Sequence, residues 1–325
     1  MKSYSPRIVF MGTPEFAVEP LKSLAQAGIE IAGVVTSPDK PAGRGKKLKS
    51  SAVKEYSQNH LSCPLFQPPN LKDPDFINAL KSLKSDMFVV VAFRMLPEAV
   101  WKIPRLGTIN LHASLLPQYR GAAPINWALI NGENVTGITT FLINEVIDTG
   151  QILLQARVVI DPEDNAGSLH DKLMIEGSEL LKKTVSHLYA GTIEPVDQKL
   201  FQIPENELKK APKIFKEDCQ VNWKSSCQEI HNRVRGLSPY PGAFTIISHP
   251  GAGDEQLKIF KSSMLIESHT HLPGNIISDN KHYVRVAAVD GFIDIIEIQA
   301  AGKKRMLIGD YLRGIHHDIQ ESICK

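Results

Sequence analysis

The sequence has 325 residues and a formal net charge of +2; 42% of its residues are hydrophobic and 22% are charged. This composition is that of a folded globular protein, and the length exceeds that of an average domain, so we expect two domains. The longest apolar run, residues 87–93, is far shorter than the roughly 20 residues that a membrane helix needs. The first apolar run ends at Gly12, which is too early for a secretory signal. We therefore expect a cytoplasmic protein with no membrane partner.

Cysteine spacing argues against a disulfide scaffold and against a zinc site. The four cysteines are Cys63, Cys219, Cys227 and Cys324. No two of them have the C-x-x-C spacing of a redox or zinc motif, so reduced thiols are the simplest interpretation. The histidine pairs are also too close in sequence for metal ligation one turn apart on a helix. We expect no metal.

The first two hundred residues alternate short β-rich segments with amphipathic segments, which predicts an α/β fold with a mostly parallel sheet. The predicted strands are 7–11, 29–36, 64–67, 87–92, 108–112, 135–142 and 151–159. A first helix should end at Gly28, where the missing Cβ permits a left-handed backbone. Pro97 and Pro124 suit first-turn positions of helices, and residues 168–189 predict a long closing helix.

The residue pattern changes after residue 190. Between residues 191 and 209 the apolar periodicity fades and proline and acidic residues accumulate, which predicts a linker between a domain 1–190 and a second domain 210–325. Ser226 and Glu229 have capping-box spacing for a helix that ends near Gly236. Short alternating segments then predict a smaller antiparallel β-barrel, of which an OB-like barrel is one form. These segments are 243–248, 256–260, 283–288 and 292–298.

Three polar residues form the candidate catalytic group. Asn110 and His112 end a predicted strand and, being two apart, lie on the same face of it. In open parallel sheets ligands bind beyond the carboxyl ends of the strands, which places both residues near a crevice. Asp148 lies in the loop between two later strands. Each residue alone is more often a turn former or a satisfied polar group, so the prediction rests on the combination.

This combination suits acyl transfer to an amine, which passes through a tetrahedral oxyanion and releases a proton. An amide N–H of Asn110 and the imidazolium of His112 can stabilise the oxyanion, a contact worth about 3–4 kcal/mol in a dry, preorganised site. Asp148 can favour the charged imidazolium and accept the proton, directly or through a water. Covalent catalysis is disfavoured because Ser114 lacks a GxSxG elbow. The turn after the first strand, MGTPEF, lacks the second and third glycines of the dinucleotide-binding fingerprint, which argues against NAD binding.

A basic segment between a strand and a helix indicates a nucleic-acid partner. Five cations lie in ten residues, namely Lys40, Arg44, Lys46, Lys47 and Lys49. Most charge runs are solvated surface, but this density fits a flexible loop that a phosphate backbone orders. Further cations of the second domain are Lys303, Lys304 and Arg305.

Several motifs together resemble the methionyl-tRNA formyltransferase family of folate-dependent formyltransferases. The motifs are VFMGTPEFA at 9–17, PAGRGKKL at 41–48, INLHASLLPQYRGAAPI at 109–125, IDTG at 147–150, APKIFKED at 211–218 and SPYPGA at 238–243. The resemblance implies a Rossmann-like formyltransferase domain joined to a tRNA-binding barrel. It also implies 10-formyltetrahydrofolate as co-substrate and methionyl-initiator tRNA as partner.

The resemblance further implies roles for individual residues. Asn110, His112 and Asp148 would carry catalysis, and Arg44 with its neighbours would lie near the tRNA acceptor end. The expected folate-binding residues are Ser114, Leu115, Leu116, Pro117, Phe93 and Leu96. The loop AFRMLP at 92–97 departs from the family, because Arg94 stands where the family has a glycine.

Two other functions stay open at this stage. One is a formyltransferase for a small amine, such as glycinamide ribonucleotide or an amino sugar, for which the first domain would suffice. The other is a non-catalytic RNA-binding protein, against which the intact Asn110, His112 and Asp148 argue. The sequence has no heptad pattern or long apolar stripe, so we expect a monomer.

Overall fold

The computed structural model describes residues 5–42, 47–250, 253–315 and 318–325. The chain divides into two units. The first consists of Met1–Gly121, Val135–Val159 and His170–Lys210, and the second of Ala122–Asn134, Ile160–Leu169 and Ala211–Lys325. The boundaries 1–190, 191–209 and 210–325 stay a prediction.

A mixed, mostly parallel sheet forms the centre of the first unit. The strands in this part of the chain are β1 (Arg7–Gly12), β2 (Glu30–Val35), β3 (Lys40–Ala42), β4 (Lys47–Lys49), β5 (Leu65–Phe66), β6 (Met87–Val91), β7 (Thr108–His112), β8 (Arg120–Gly121), β9 (Val135–Leu142) and β10 (Ile152–Val159). The sheet has the order β10-β9-β7-β6-β1-β2-β5. Strands β5, β2, β1, β6 and β7 are parallel, whereas β9 runs antiparallel to both β7 and β10. The predicted α/β class with a Rossmann-like sheet is confirmed.

The chain reverses its direction of travel across the sheet between β1 and β6. From β1 it proceeds to β2 and β5 on one side, and it then returns to β6 and β7 on the other. Gly12 and Val91, the last residues of β1 and β6, are register partners. Such a switch point leaves a crevice outside the carboxyl ends of the strands, where α/β proteins bind ligands.

Buried apolar side chains explain why the central strands form. Every residue of β6 is buried, as are Ile8 to Met11 of β1. A strand that is covered on both faces requires such a continuous apolar run, and burial of each large side chain contributes roughly 1.5–3 kcal/mol. The parallel sheet is therefore the main hydrophobic core of this unit.

The helices begin and end at residues with clear local chemistry. They are α1 (Val18–Gln26), α2 (Ala52–His60), α3 (Pro74–Ser82), α4 (Glu98–Trp101), α5 (Pro124–Ile130) and α6 (Ala166–Ala190), with a 3-10 turn at Glu15–Ala17. The Ser51 hydroxyl accepts a hydrogen bond from Lys54 N and caps α2. Gly28 has a φ of 76° just after α1, as the sequence predicts. Pro124 begins α5, which confirms its predicted first-turn position, whereas Pro97 is the N-cap residue just before α4 and lies outside its first turn.

The second unit contains an antiparallel, nearly closed barrel. Its further elements are β11 (Lys210–Ala211), α7 (Cys227–Leu237), β12 (Ala243–His249), β13 (Gly253–Ile266), β14 (Ile276–Ser278), β15 (Val284–Ala287), β16 (Gly291–Ala300), β17 (Met306–Leu307), α8 (Ile308–Leu312) and β18 (Ile323–Cys324). The barrel strands follow the order β14-β15-β16-β13-β12-β18. An antiparallel bridge between Asn275 and Ile323 joins the two ends of this order. The predicted smaller barrel is confirmed.

Two local features shape this second unit. The predicted capping box is present, because the Ser226 side chain and the Glu229 side chain each bond the other's backbone N–H at the start of α7. The pairing of β13 with β16 shifts register between Ile259 and Lys261. Such irregularities bend a strand and increase its twist, which helps a sheet to curl.

The segment 191–209 is more structured than a simple linker. It contains 3-10 helices at Gln198–Phe201 and Glu205–Glu207, and Val196 forms an antiparallel bridge with Ile152 of β10. Other 3-10 turns are Glu217–Cys219 and Ile319–Glu321. Within the described parts of the chain, no helix is both long and apolar enough to span a membrane.

Candidate active site

His112 is the last residue of β7, and its side chain is only 8% exposed. Its Nε2 lies 2.9 Å from the backbone carbonyl oxygen of Tyr119. Because a carbonyl only accepts, Nε2 is the donor in this contact and Nδ1 is left to face the opposite side of the ring. The loop after β7 therefore fixes the orientation of the imidazole.

Asp148 is the partner of that second ring nitrogen. Its Oδ2 lies 3.8 Å from His112 Nδ1 and accepts a hydrogen bond of 2.9 Å from the Gly121 N–H. The Asp148 side chain is 11% exposed, and its φ of 55° is left-handed. A left-handed residue with a Cβ costs of order 1–2 kcal/mol, and Asp tolerates it better than most residues. The loop therefore holds this carboxylate in a fixed position.

The two ring nitrogens of His112 have different surroundings. Nε2 donates to the Tyr119 carbonyl oxygen, whereas the Asp148 carboxylate lies 3.8 Å from Nδ1, which is longer than a hydrogen bond. Nδ1 is therefore left for a ligand, with a carboxylate beside it. Both His112 and Asp148 are nearly buried, where screening by water is weak, so the carboxylate acts strongly on the ring and on any group that contacts it.

Asn110 lies two residues before His112 in β7, on the same face of the strand, and is half-buried. No hydrogen bond joins its side-chain amide to any other residue that the structure describes. A half-buried amide with free N–H groups can donate to an oxyanion. The structure thus brings His112 and Asp148 together and places Asn110 on the same strand face.

The predicted folate-binding run lies mostly inside the fold. The Ser114 hydroxyl donates to Gln118 O at 2.7 Å, and Ser114 is fully buried. Leu116 is buried, its N–H donates to Thr139 Oγ1, and its carbonyl accepts from Gln155 Nε2. Pro117 is buried and Leu115 is half-buried. These side chains shape the loop that orients His112, so a ligand could reach this run chiefly through its backbone.

The loop after β6 contains the other predicted folate contacts. Leu96 is buried in the core of the sheet, whereas Phe93 is partly buried and packs against it. Arg94 donates hydrogen bonds to the carbonyl oxygens of Pro68 and Pro69, and burial lowers the pKa of its guanidinium. Arg94 therefore ties this loop to the segment that follows β5.

Arg120 and Gln198 belong to the same cluster, although neither is among the site residues predicted from the sequence. The Gln198 carboxamide contacts the backbone at Asp148 and Gly150 and also the guanidinium of Arg120. Burial lowers the pKa of Arg120, and the charge of Asp148 raises it. Arg120 lies within the family motif INLHASLLPQYRGAAPI at 109–125, so the motif could have identified it as a site residue. Gln198 lies in the predicted linker, where no pattern marks it.

Two described parts of the basic segment, residues 40–42 and 47–49, pair as a two-stranded ribbon. Strand β3 pairs antiparallel with β4, and Lys40 and Lys49 are opposite each other in register. Both lysines are exposed. Lys47 begins β4, while Arg44 and Lys46 lie outside the described residues. The ribbon therefore presents at least two cations side by side.

The ribbon is anchored at its base by Asp39. Its carboxylate lies 2.6 Å from Lys54 Nζ and 2.8 Å from Gln67 Nε2. The hydrogen bond from Lys54, followed by that from Gln67, lowers the pKa of Asp39. Asp39, which lies immediately before the basic segment, thus ties the base of the ribbon to α2 and to Gln67, and its carboxylate does not pair with Lys40 or Lys49.

In the second unit, the three predicted tRNA-binding cations differ from one another. Lys303 and Lys304 are exposed. The Arg305 guanidinium makes a bidentate ion pair with Glu297, at 2.5 and 2.7 Å, and lies over the Phe260 ring at 4.4 Å. Arg305 is therefore partly neutralised, and the two lysines are the more available charges.

No group of three or more His, Cys, Asp or Glu side chains within the described ranges is arranged to hold a metal ion. All four cysteines are free thiols, as the sequence predicts.

The crevice, the His112–Asp148 pair and the barrel agree with one family of transferases. The profile of the family described as "Formyl transferase" matches residues 6–185, and that described as "Formyl transferase, C-terminal domain" matches residues 213–316. The chain belongs to the formyl transferase family.

Within this family, the chain is most usefully compared with relatives of nearly equal length. The chain is 50% identical over 316 residues to the methionyl-tRNA formyltransferase of Bacteroides fragilis and 51% identical over 315 residues to that of Phocaeicola vulgatus, and each alignment covers 97% of both chains. A solved N-formyltransferase from Helicobacter canadensis, in complex with folinic acid and dTDP-3-aminofucose, is 20% identical with a TM-score of 0.65. That alignment covers 93% of this chain and 100% of the other, and it shows a shared fold.

Proposed function

We propose that the chain transfers the formyl group of 10-formyltetrahydrofolate to the amino group of methionyl-initiator tRNA. The observation that carries this proposal is the identity of about half the residues, along nearly the whole chain, to curated methionyl-tRNA formyltransferases. The likeness includes both family regions, so it extends beyond a catalytic domain shared by all formyltransferases. The reaction serves the initiation of protein synthesis, and we place the protein in the cytoplasm as a monomer.

The catalytic roles follow from the geometry of the described residues. The imidazolium of His112, with its Nε2 held by the Tyr119 carbonyl, stabilises negative charge that develops on the formyl oxygen. The Asn110 amide adds a second donor from the same strand face. Asp148 compensates the charge of the ring and accepts the proton that the attacking amine loses, directly or through a water. The bond between the formyl carbon and the folate nitrogen then breaks, and tetrahydrofolate leaves with a proton on that nitrogen. No covalent enzyme intermediate is needed.

The folate co-substrate supplies the formyl group, and a sheet with this switch point binds ligands at the carboxyl ends of its strands, here β1, β6 and β7. The loop that follows β6 contains Phe93 and Leu96, and the loop that follows β7 contains Ser114 to Pro117. The unpartnered amide of Asn110 lies on a strand that ends there. We assign the donor to this edge of the sheet.

The tRNA is held by cations outside the crevice. Lys40 and Lys49 of the ribbon are exposed and opposite each other, and Arg44, Lys46 and Lys47 complete the basic segment. Lys303, Lys304 and Arg305 add charge on the barrel. Phosphate contacts of this kind position a nucleic acid without reading its sequence.

Incubation of the protein with 10-formyltetrahydrofolate and an equimolar mixture of methionyl-initiator tRNA and glycinamide ribonucleotide tests this function. We expect formylmethionyl-tRNA as the product and no formylated nucleotide. A sugar nucleotide with a free amine is the second competing acceptor. Preferential formylation of either small amine would contradict the proposal, and so would the absence of any formyl transfer by the folded protein.

A further inference from the structure

Gln198 is a buried polar residue in a segment whose sequence resembles a linker. It begins the 3-10 helix Gln198–Phe201 and is 4% exposed. Its Nε2 donates to Asp148 O at 2.9 Å and to Gly150 O at 2.8 Å. Its Oε1 accepts from Arg120 Nε at 3.1 Å and from Arg120 Nη2 at 2.5 Å. One side chain therefore joins three points around the candidate active site.

These four bonds use the full capacity of a carboxamide. Its nitrogen has two N–H groups and its oxygen has two acceptor sites, and each of them has a partner here. The reverse orientation would point N–H groups at the Arg120 guanidinium and an oxygen at two carbonyl oxygens. The surroundings thus allow one orientation, and they require glutamine in particular, because no carboxylate can donate to Asp148 O and Gly150 O.

The contacts act on the backbone of Asp148, which has a left-handed φ of 55°. The Gly121 N–H donates to the side-chain carboxylate of Asp148, and Gln198 donates to the backbone carbonyl oxygens of Asp148 and Gly150. We propose that Gln198 is a positioning residue that holds the Asp148 loop in the conformation that directs the carboxylate at His112. This role rests on the catalytic functions proposed above for His112 and Asp148.

Arg120 extends the same arrangement. Its guanidinium donates to Gln198 Oε1, and the nearby Asp148 carboxylate raises the pKa of that guanidinium against the lowering effect of burial. Gln198 thus couples a fixed positive charge to the loop with the catalytic carboxylate. A displacement of the Gln198 carboxamide would therefore break its hydrogen bonds to the Arg120 guanidinium and to the Asp148 loop together.

Two substitutions separate these contacts. Gln198→Met keeps the length of the side chain and removes all four hydrogen bonds, whereas Gln198→Glu keeps acceptors for Arg120 and removes the donors to Asp148 and Gly150. We expect each to lower kcat about 10- to 100-fold, because small displacements of a catalytic group cost that much. KM for both substrates should stay unchanged. Leu200→Ala, on the same 3-10 turn but 70% exposed, is the matched control and should retain the parent kcat.

A double-mutant cycle distinguishes positioning from a general loss of structure. In an Asp148→Asn background, Gln198→Met should cause little further loss of kcat, because the group that it positions is already disabled. Circular dichroism confirms that each variant is folded. A full additive loss in that background, full kcat in Gln198→Glu, or a rise in KM alone would overturn the role of Gln198 while leaving the formyltransferase function intact. A parent enzyme without formyl transfer overturns the proposed function and this role with it.

Discussion

At the scale of single residues, the Asn110 amide offers the clearest test of how the formyl oxygen is stabilised. Asn110→Asp preserves the size and shape of the side chain but replaces an N–H donor by a carboxylate that only accepts. We expect kcat to fall about 100- to 1,000-fold, as it does when one donor to an oxyanion is removed. Steady-state kinetics with saturating tRNA measure this change.

Asn110→Ala serves as the control for charge. It removes the donor without adding a negative charge, so it should lose nearly as much kcat as Asn110→Asp if the N–H group is what matters. Equilibrium binding of tRNA should be unchanged in both variants. Full activity of Asn110→Asp would exclude Asn110 as the oxyanion donor.

The sequence identifies a candidate catalytic residue only where that residue lies in a recognisable motif. Asn110, His112 and Asp148 lie in such motifs, and the structure brings His112 and Asp148 within 3.8 Å. The groups that orient them are harder to find. The Tyr119 contact uses a backbone carbonyl, which every residue has, and Gln198 is 50 residues from Asp148. Contacts of this kind depend on tertiary geometry that no local pattern encodes.

At the scale of elements, the β3–β4 ribbon can be tested through its two opposed lysines. Replacement of both Lys40 and Lys49 by alanine removes two exposed cations without touching the Asp39 anchor. We expect weaker tRNA binding and a slope of log affinity against log salt that is smaller by roughly 1–2, because fewer counterions are released. Filter binding from low to physiological salt measures both quantities.

Lys72→Ala is the matched control for this experiment, since Lys72 is an exposed lysine of the first unit outside the ribbon. It should leave the salt slope unchanged. An equal change in both proteins would show that total charge, and not the ribbon, determines tRNA affinity.

Elements built from buried apolar runs are the ones that the sequence predicts best. The predicted strands 108–112 and 135–142 coincide with β7 and β9, and the predicted long helix 168–189 lies within α6. The ribbon is not predicted, because lysines and glycines give it no apolar alternation. The residue at its base, Asp39, contacts Lys54 and Gln67, which lie 15 and 28 residues further along the chain, so no local pattern marks this anchor either.

At the scale of the whole molecule, thiol reactivity reports how both units are packed. Burial raises the pKa of Cys324 and of Cys227 to about 12, with Asp290 adding to the shift of Cys227, and burial also raises the pKa of Cys219. A raised thiol pKa means fewer thiolates at pH 8, and the thiolate is the reactive form. Burial also raises the pKa of Cys63, but Cys63 is only half-buried, so a reagent reaches its thiol more easily than the three buried ones. We therefore expect Cys63 to react first with a thiol reagent in the native protein.

The three buried thiols should react only as the protein unfolds, so that full modification requires denaturant. Cys63→Ser provides the control, because it should remove the fast phase and leave the slow one. A fast phase of more than one thiol at pH 8 would contradict the packing described for the barrel.

The anchored ribbon has a consequence for how such an enzyme can change over evolutionary time. Residues 40–42 and 47–49 pair with each other and not with the large sheet, while the Asp39 root stays attached to α2 and to Gln67. The ribbon can therefore be exchanged without disturbing the strands of the large sheet. On the tRNA-binding role proposed above, we expect a chimera that carries the corresponding ribbon of another relative to differ in tRNA affinity and to keep the formyl-transfer activity, so that these two properties can evolve separately.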